Sequence, residues 1–168
     1  MHKHGNTPNN IQMNFISRIF RRKHGVFISY SREDERYILP VIKLIRTMRH
    51  DFVFQDTHNI MPGKLWERQL LQALHKSKVI IIFWCRHSAN STYVKKEYEI
   101  AIEKKKDLLP LLLDDTPLTE ELAAYQCIDF SRFEIHGDYG SFHSPVFQPG
   151  KEAAEKLIAI LNKKLNPL

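Results

Sequence analysis

Between residues 25 and 131 the chain alternates short apolar runs with longer amphipathic ones. GVFISY (25–30), FVFQ (52–55), VIIIFW (79–84), LLPLLL (108–113) and CIDF (127–130) are too short for buried helices and predict strands. The run VIIIFWC at 79–85 is apolar throughout, as expected of a strand covered on both faces. Between these runs the apolar positions recur with helical spacing. Residues 33–49 carry a stripe through Ile38, Val41, Ile42, Ile45 and Met48, and residues 64–77 one through Leu65, Leu70, Leu71 and Leu74. Further helices are predicted over 92–106, over the short TEELAAY segment (119–125) and over 151–165, the last with Ala154, Leu157, Ile158, Leu161 and Leu165 inward. DTHNIMPG (56–63), RHSANS (86–91) and 131–149 read as loops, and Asp114-Asp115 as a solvated turn. Strand and helix in regular alternation predict an α/β fold, a flavodoxin-like doubly wound sheet of five parallel strands.

One position breaks the pattern. In the helix beginning STYVKKEYEIA, the residues Tyr93, Val94, Tyr98, Ile100, Ala101 and Ile102 form one apolar arc, while Lys95, Lys96, Glu99 and Glu103 lie opposite. Glu97 projects into the middle of the arc. A carboxylate among apolar neighbours is costly unless it is paired, hydrogen-bonded or at the wall of a cavity. Either Glu97 snorkels to water and pairs with Lys104 or Arg86, or it lines a pocket. In doubly wound sheets ligands sit beyond the carboxyl ends of the strands, where the strand order reverses. Tyr30, Asp56, Cys85 and the 86–91 loop fall at such ends, and Glu97 lies in the first turns of the helix leaving one of them.

The 168 residues suit one domain, placed at 24–168, preceded by a segment of 23 residues. Residues 1–10 are polar and read as disordered. Residues 11–23 place Ile11, Phe15, Ile16, Ile19 and Phe20 on one face of a basic amphipathic helix, which either packs on its own domain or docks on a partner or an anionic surface. Five of the six net positive charges lie in residues 1–24, leaving +1 for the other 144, so nucleic acid is not expected as a partner. No run reaches the roughly 18 apolar residues of a membrane-spanning helix. Cys85 and Cys127 form neither a disulfide framework nor a metal spacing, and His2 and His4 of the MHKH start read as solvated. No metal is expected, and the compartment is read as cytoplasmic. Glycine-rich phosphate motifs and a GxSxG elbow are absent from the sequence.

Four blocks, in order, resemble the Toll/interleukin-1 receptor (TIR) domain family over about residues 24–133. HGVFISYSRED resembles its opening strand, and FVFQDTHNIMPGKLWERQLLQAL its second strand, BB loop and following helix. IIIFWCRHSANSTYVKKEYEIA resembles its third strand and the helix that bears a glutamate in the enzymatic members. LLPLLLDDTPLTEELAAYQCIDFSRF resembles the fourth and fifth strands of bacterial members. The family divides into association scaffolds and enzymes that cleave NAD+. The resemblance implies Glu97 as the catalytic carboxylate and Tyr30, Ser31, Asp56, Trp66, Ser88, Ser91 and Tyr93 as substrate-contacting residues, with tyrosine at 93 where tryptophan is usual. For each the bland role stays open: Trp66 as a core anchor, Ser88 and Ser91 as loop and cap residues, Asp56 as a brace for the BB loop.

The chemistry explains a carboxylate in that setting. Loss of nicotinamide from NAD+ expels a neutral group and leaves an oxocarbenium-like ribose, which a nearby carboxylate stabilises or attacks. NAD+ is then the substrate, and no cofactor is implied. The competing reading is a scaffold that associates with other TIR domains through residues 56–63. A third is a nucleoside deoxyribosyltransferase-like enzyme. About 35 residues follow the resembling block, too few for a second domain. The implied biology is that of the Thoeris antiphage type: a stand-alone TIR protein whose ADP-ribose-derived product signals to a separate effector protein, with self-association through TIR–TIR contacts.

Overall fold

The computed structural model describes residues 25–48, 52–55, 64–131 and 151–165. Five strands, β1 (Gly25–Ser29), β2 (Phe52–Gln55), β3 (Ser77–Trp84), β4 (Asp107–Leu112) and β5 (Ile128–Asp129), form one sheet in the order β2-β1-β3-β4-β5. Every pairing is parallel. The helices are α1 (Glu35–Met48), α2 (Lys64–Lys76), α3 (Arg86–Ala89), α4 (Thr92–Glu103), α5 (Glu120–Ala123) and α6 (Lys151–Leu165), with a 3-10 turn at Arg32–Asp34. The expected doubly wound α/β architecture is the one observed, and the strand order reverses between β1 and β3.

Alternation along the strands sorts side chains into two cores. Val26 and Ile28 of β1 and Val79, Ile81 and Phe83 of β3 pack with Ile38, Val41, Ile42 and Ile45 of α1 and Leu157, Leu161 and Leu165 of α6. On the other face Phe27, Ile80, Ile82 and Trp84 pack with Leu70, Ala73 and Leu74 of α2, Val94, Tyr98 and Ala101 of α4, and Leu122 of α5. β3 is covered on both faces, as its unbroken apolar run requires; Val79 through Trp84 are each no more than 1% exposed.

The differences from the sequence expectations have local causes. Leu71, expected inward, is 41% exposed, because Leu70, Ala73 and Leu74 already fill the buried face of α2. Residues 86–91, expected as loop, contain the turn of helix α3, closed by a reciprocal cap between Cys85 and Ser88. β5 is shorter than CIDF, with Ile128 and Asp129 registering against Leu111 and Leu112. Pro110 is tolerated inside β4 for a related reason. The Leu112 carbonyl accepts from the Phe130 amide at 2.7 Å, so Pro110, two residues earlier, aims its nitrogen toward the same side, ahead of where β5 begins. The expectations for residues 1–23, for the 56–63 loop with Asp56 and for 132–150 lie outside the described residues.

Helix α4 stops three residues earlier than its pattern suggests, at a Schellman motif. The Lys106 amide donates to the Ala101 carbonyl and the Lys105 amide to Ile102, each at 2.9 Å, with Lys105 held at φ 52°. A lysine there bears the Cβ crowding of the left-handed region, which glycine escapes. Lys105→Gly should therefore raise unfolding stability by about 0.5 kcal/mol, measured by urea denaturation; a loss of stability of that size would contradict this account of the turn.

Candidate functional site

The end of β3 organises the carboxyl edge of the sheet. Cys85 continues the extended backbone (φ −158°, ψ 179°) and caps α3. Its amide donates to Ser88 Oγ at 2.8 Å, Ser88 Oγ donates to the Cys85 carbonyl at 2.9 Å, and the Ser88 amide donates to Cys85 Sγ at 3.5 Å. A short helix with few internal bonds is held by such end contacts. The Ser91 amide then donates to the Ser88 carbonyl at 3.1 Å, and Ser91 Oγ caps α4 by accepting from the Val94 amide at 3.3 Å. Together these bonds carry the chain from the strand end into the helix that bears Glu97.

Glu97 is 3% exposed, with Val94, Tyr98 and Ala101 of the same helix buried beside it. Lys95, Lys96, Glu99 and Glu103 face outward as expected, and Lys104 pairs with Glu103 at 2.8 Å. Trp84 fixes this layer from below: its ring meets Tyr98 edge-on at 6.2 Å, and its Nε1 donates to the Pro117 carbonyl at 3.1 Å. Helix α4 packs across β1, β3 and β4. On that same face, at the carboxyl end of β1, lies a residue the sequence reading passed over. Ser29 alternates with Phe27 and so turns toward the α2–α4 layer; it is 1% exposed and its Oγ has no hydrogen-bond partner. A buried hydroxyl without a partner costs about 1–3 kcal/mol. Ser29 was visible in principle, being the polar residue inside GVFISY, by the rule that singled out Glu97.

The remaining sequence candidates scatter. Tyr30 packs in the opposite core, under α1, and its hydroxyl donates to Glu35 Oε1 at 3.4 Å. Ser31 is buried at the start of the 3-10 turn, where its carbonyl accepts from the Asp34 amide at 3.0 Å. Ser88 and Ser91 serve as the caps described above, the bland role left open for them. Tyr93, assigned to the apolar arc, is instead 58% exposed: the buried face of α4 is narrower than the arc and runs through Val94, Glu97, Tyr98 and Ala101. Trp66 falls in the first turn of α2, with its side chain outside the described residues.

A second polar cluster lies on the other face of the sheet edge. Asp34 Oδ2 accepts from Cys85 Sγ at 2.9 Å, Asp34 Oδ1 lies 2.8 Å from His87 Nδ1, and Glu33 Oε2 lies 3.6 Å from His87 Nε2. Burial first, and the Asp34 carboxylate second, push the Cys85 thiol up to about 11, while the hydrogen bond to Asp34 raises the His87 imidazole above its ordinary value. Beside them opens a cavity of about 250 Å³, also lined by Tyr37, Arg86, Asp114 and Thr116. Asp114 is not the freely solvated turn residue expected. It accepts from the Arg86 amide at 3.1 Å and the Thr116 amide at 2.9 Å, which ties the loop after β4 to α3. Burial works to raise its carboxyl, but these hydrogen bonds outweigh burial and hold it below the usual range.

With fold and sites in view, the chain belongs to the TIR domain family, whose model matches residues 26–139. The TIR domain of the Toll-related receptor TRR-2 from Hydra magnipapillata has a similar fold, with a TM-score of 0.54 and 19% identity, covering 63% of this chain and 83% of that one. A looser likeness, with a TM-score of 0.49 and 16% identity, links 82% of this chain to 97% of a 2-deoxyribosyltransferase from Leishmania mexicana. Among curated proteins, the uncharacterised protein y4cD of Sinorhizobium fredii is 29% identical over 87 residues; the match takes in 48% of this chain and only 14% of that protein. No helix among the described residues is long and apolar enough to cross a membrane.

The caps make a quantitative prediction. Ser91→Ala removes one cap acceptor and should cost about 1 kcal/mol. Ser88→Ala strips the partner from the buried Cys85 amide and should cost more, about 2 kcal/mol. Urea unfolding of both variants tests the order, and equal losses would mean that the Cys85–Ser88 pair is not the stronger anchor.

Proposed function

We propose that this TIR domain cleaves the bond between nicotinamide and ribose in NAD+, with Glu97 as the carboxylate beside the reacting carbon. The observation that carries the reading is the burial of Glu97, 3% exposed, on a helix packed against the strands at the reversal point of the sheet. A carboxylate so far removed from water acts on a developing positive charge with little screening by solvent. Departing nicotinamide is neutral and needs no proton, so one carboxylate suffices where glycosidases need two. Ser29, buried on the same face with an unpartnered hydroxyl, supports a polar ligand entering that layer. Asp56, Trp66, Ser31 and Tyr93 are carried from the resemblance as residues of the substrate pocket, while Ser88 and Ser91 act by holding the start of α4 and Tyr30 packs in the opposite core.

In the wider reading the product is an ADP-ribose-derived nucleotide, linear, cyclised or conjugated, that signals in the cytoplasm to a separate effector in antiphage defence. Assembly accompanies the chemistry. Tyr93 and Leu71 are exposed on α4 and α2, the two long helices of the layer that holds Glu97, where contact between copies would cover them. That observation also sustains the scaffold reading, in which association is the whole function.

Purified protein incubated with NAD+ should release nicotinamide. Glu97→Gln should lower the rate by roughly 10²–10³-fold or more while leaving circular dichroism and the melting temperature near those of the parent. Retained activity in a folded Glu97→Gln variant would remove Glu97 from the mechanism. Cleavage of deoxynucleosides without cleavage of NAD+ would favour a deoxyribosyltransferase-like activity, and mass spectrometry of the products identifies the nucleotide.

A further inference from the structure

The Asp34–Cys85–His87 cluster is not used by the chemistry proposed for Glu97, and it lies on the opposite face of the sheet. Its three side chains offer one sulfur, one ring nitrogen and one carboxylate oxygen, all within 4.8 Å of one another. Around a tetrahedral zinc ion, with bonds of about 2.0–2.3 Å, neighbouring ligand atoms stand roughly 3.5 Å apart. The observed separations of 2.9 Å for Sγ to Oδ2 and 2.8 Å for Nδ1 to Oδ1 need only a small opening to admit an ion. The two hydrogen bonds occupy the places that metal bonds would take; binding releases the thiol proton, and Nδ1 gives up its proton so that the neutral His87 ring carries one on Nε2.

The surroundings are those of a ligand set rather than of a chance contact. Asp34 is 8% exposed and Cys85 4% exposed, so two of the three donors are withdrawn from water. His87 presents its other ring nitrogen toward Glu33 Oε2 at 3.6 Å, longer than a hydrogen bond but on the side where an Nε2 proton would stand once Nδ1 binds a metal. The Ser88 amide points at Cys85 Sγ from 3.5 Å, a donor the sulfur keeps when a metal replaces its proton. The fourth side opens onto the cavity of about 250 Å³. Sulfur and imidazole select a borderline-soft ion over magnesium or calcium.

We propose that Asp34, Cys85 and His87 bind one zinc ion, with the fourth coordination position open to the cavity lined by Tyr37, Arg86, Asp114 and Thr116. Three protein ligands with one open position is the arrangement of zinc sites that take water or a small anion. One thiolate and one carboxylate balance the charge of the ion, with the imidazole neutral. The site joins the 3-10 turn after β1 to the α3 turn after β3, and so would brace the reversal point from the side away from Glu97.

The test uses the full chain carrying His2→Ala and His4→Ala, which removes the histidine pair at the start of the sequence. Titration with cobalt(II) should give one equivalent bound, intense visible bands of tetrahedral cobalt and a near-ultraviolet thiolate-to-cobalt charge-transfer band, all displaced by zinc. Cys127→Ser should leave the titration unchanged. His87→Ala, at a half-exposed position where folding is safe, should weaken binding at least 10-fold. Cys85→Ser should remove the charge-transfer band. Absence of that band, its loss in Cys127→Ser, or its persistence at full affinity in His87→Ala would each overturn the site. None of these readouts depends on NAD+ cleavage, so the two readings stand or fall separately.

Discussion

The burial of β3 on both faces is the constraint on which the molecule depends. Six consecutive residues, Val79 to Trp84, are almost wholly removed from water, and each large side chain among them contributes about 2 kcal/mol of apolar burial. A strand so covered has no solvated edge or face at which to adjust, so its register against β1 and β4 is fixed. Its carboxyl end is thereby fixed too, and the chain must leave it by a route that satisfies the backbone at once. The reciprocal Cys85–Ser88 cap is that route.

From this follows a division of labour between the faces. Alternation sends Trp84 toward α4, where it meets Tyr98 one residue from Glu97, and sends Cys85 toward α1 and the 3-10 turn, where it meets Asp34. Two adjacent residues thus reach the helix that carries Glu97 on one face and the Asp34 cluster on the other. The Asp34 cluster joins the ends of β1 and β3, the place where a doubly wound sheet leaves a crevice. The strands and helices complete both apolar cores without Glu97, Ser29 or Asp34.

Polar groups at such an edge are informative in proportion to their burial. Asp34 is answered by Cys85 and His87, and Ser88 by the Cys85 backbone, so their hydrogen bonds account for them. Ser29 has a buried hydroxyl with nothing to bond, and a ligand or water is the general remedy for such a group.

The sequence by itself determined the layer order and much of the core. Period-two and period-3.6 patterns report local geometry, so Ile38, Val41, Ile42 and Ile45 of α1 and Leu157, Leu161 and Leu165 of α6 were legible as inward-facing, and Glu97 as a buried carboxylate. Periodicity is blind to how wide a buried face is, because that width is set by the neighbour across it; Tyr93 and Leu71 turned outward for this reason. It is blind as well to contacts between distant segments. Asp34 and Cys85 stand 51 residues apart in the chain, and His87 53 from Asp34, so no spacing rule joins them. Only the parallel pairing of β1 with β3, which sets the two strand ends side by side, brings sulfur, imidazole and carboxylate into one cluster.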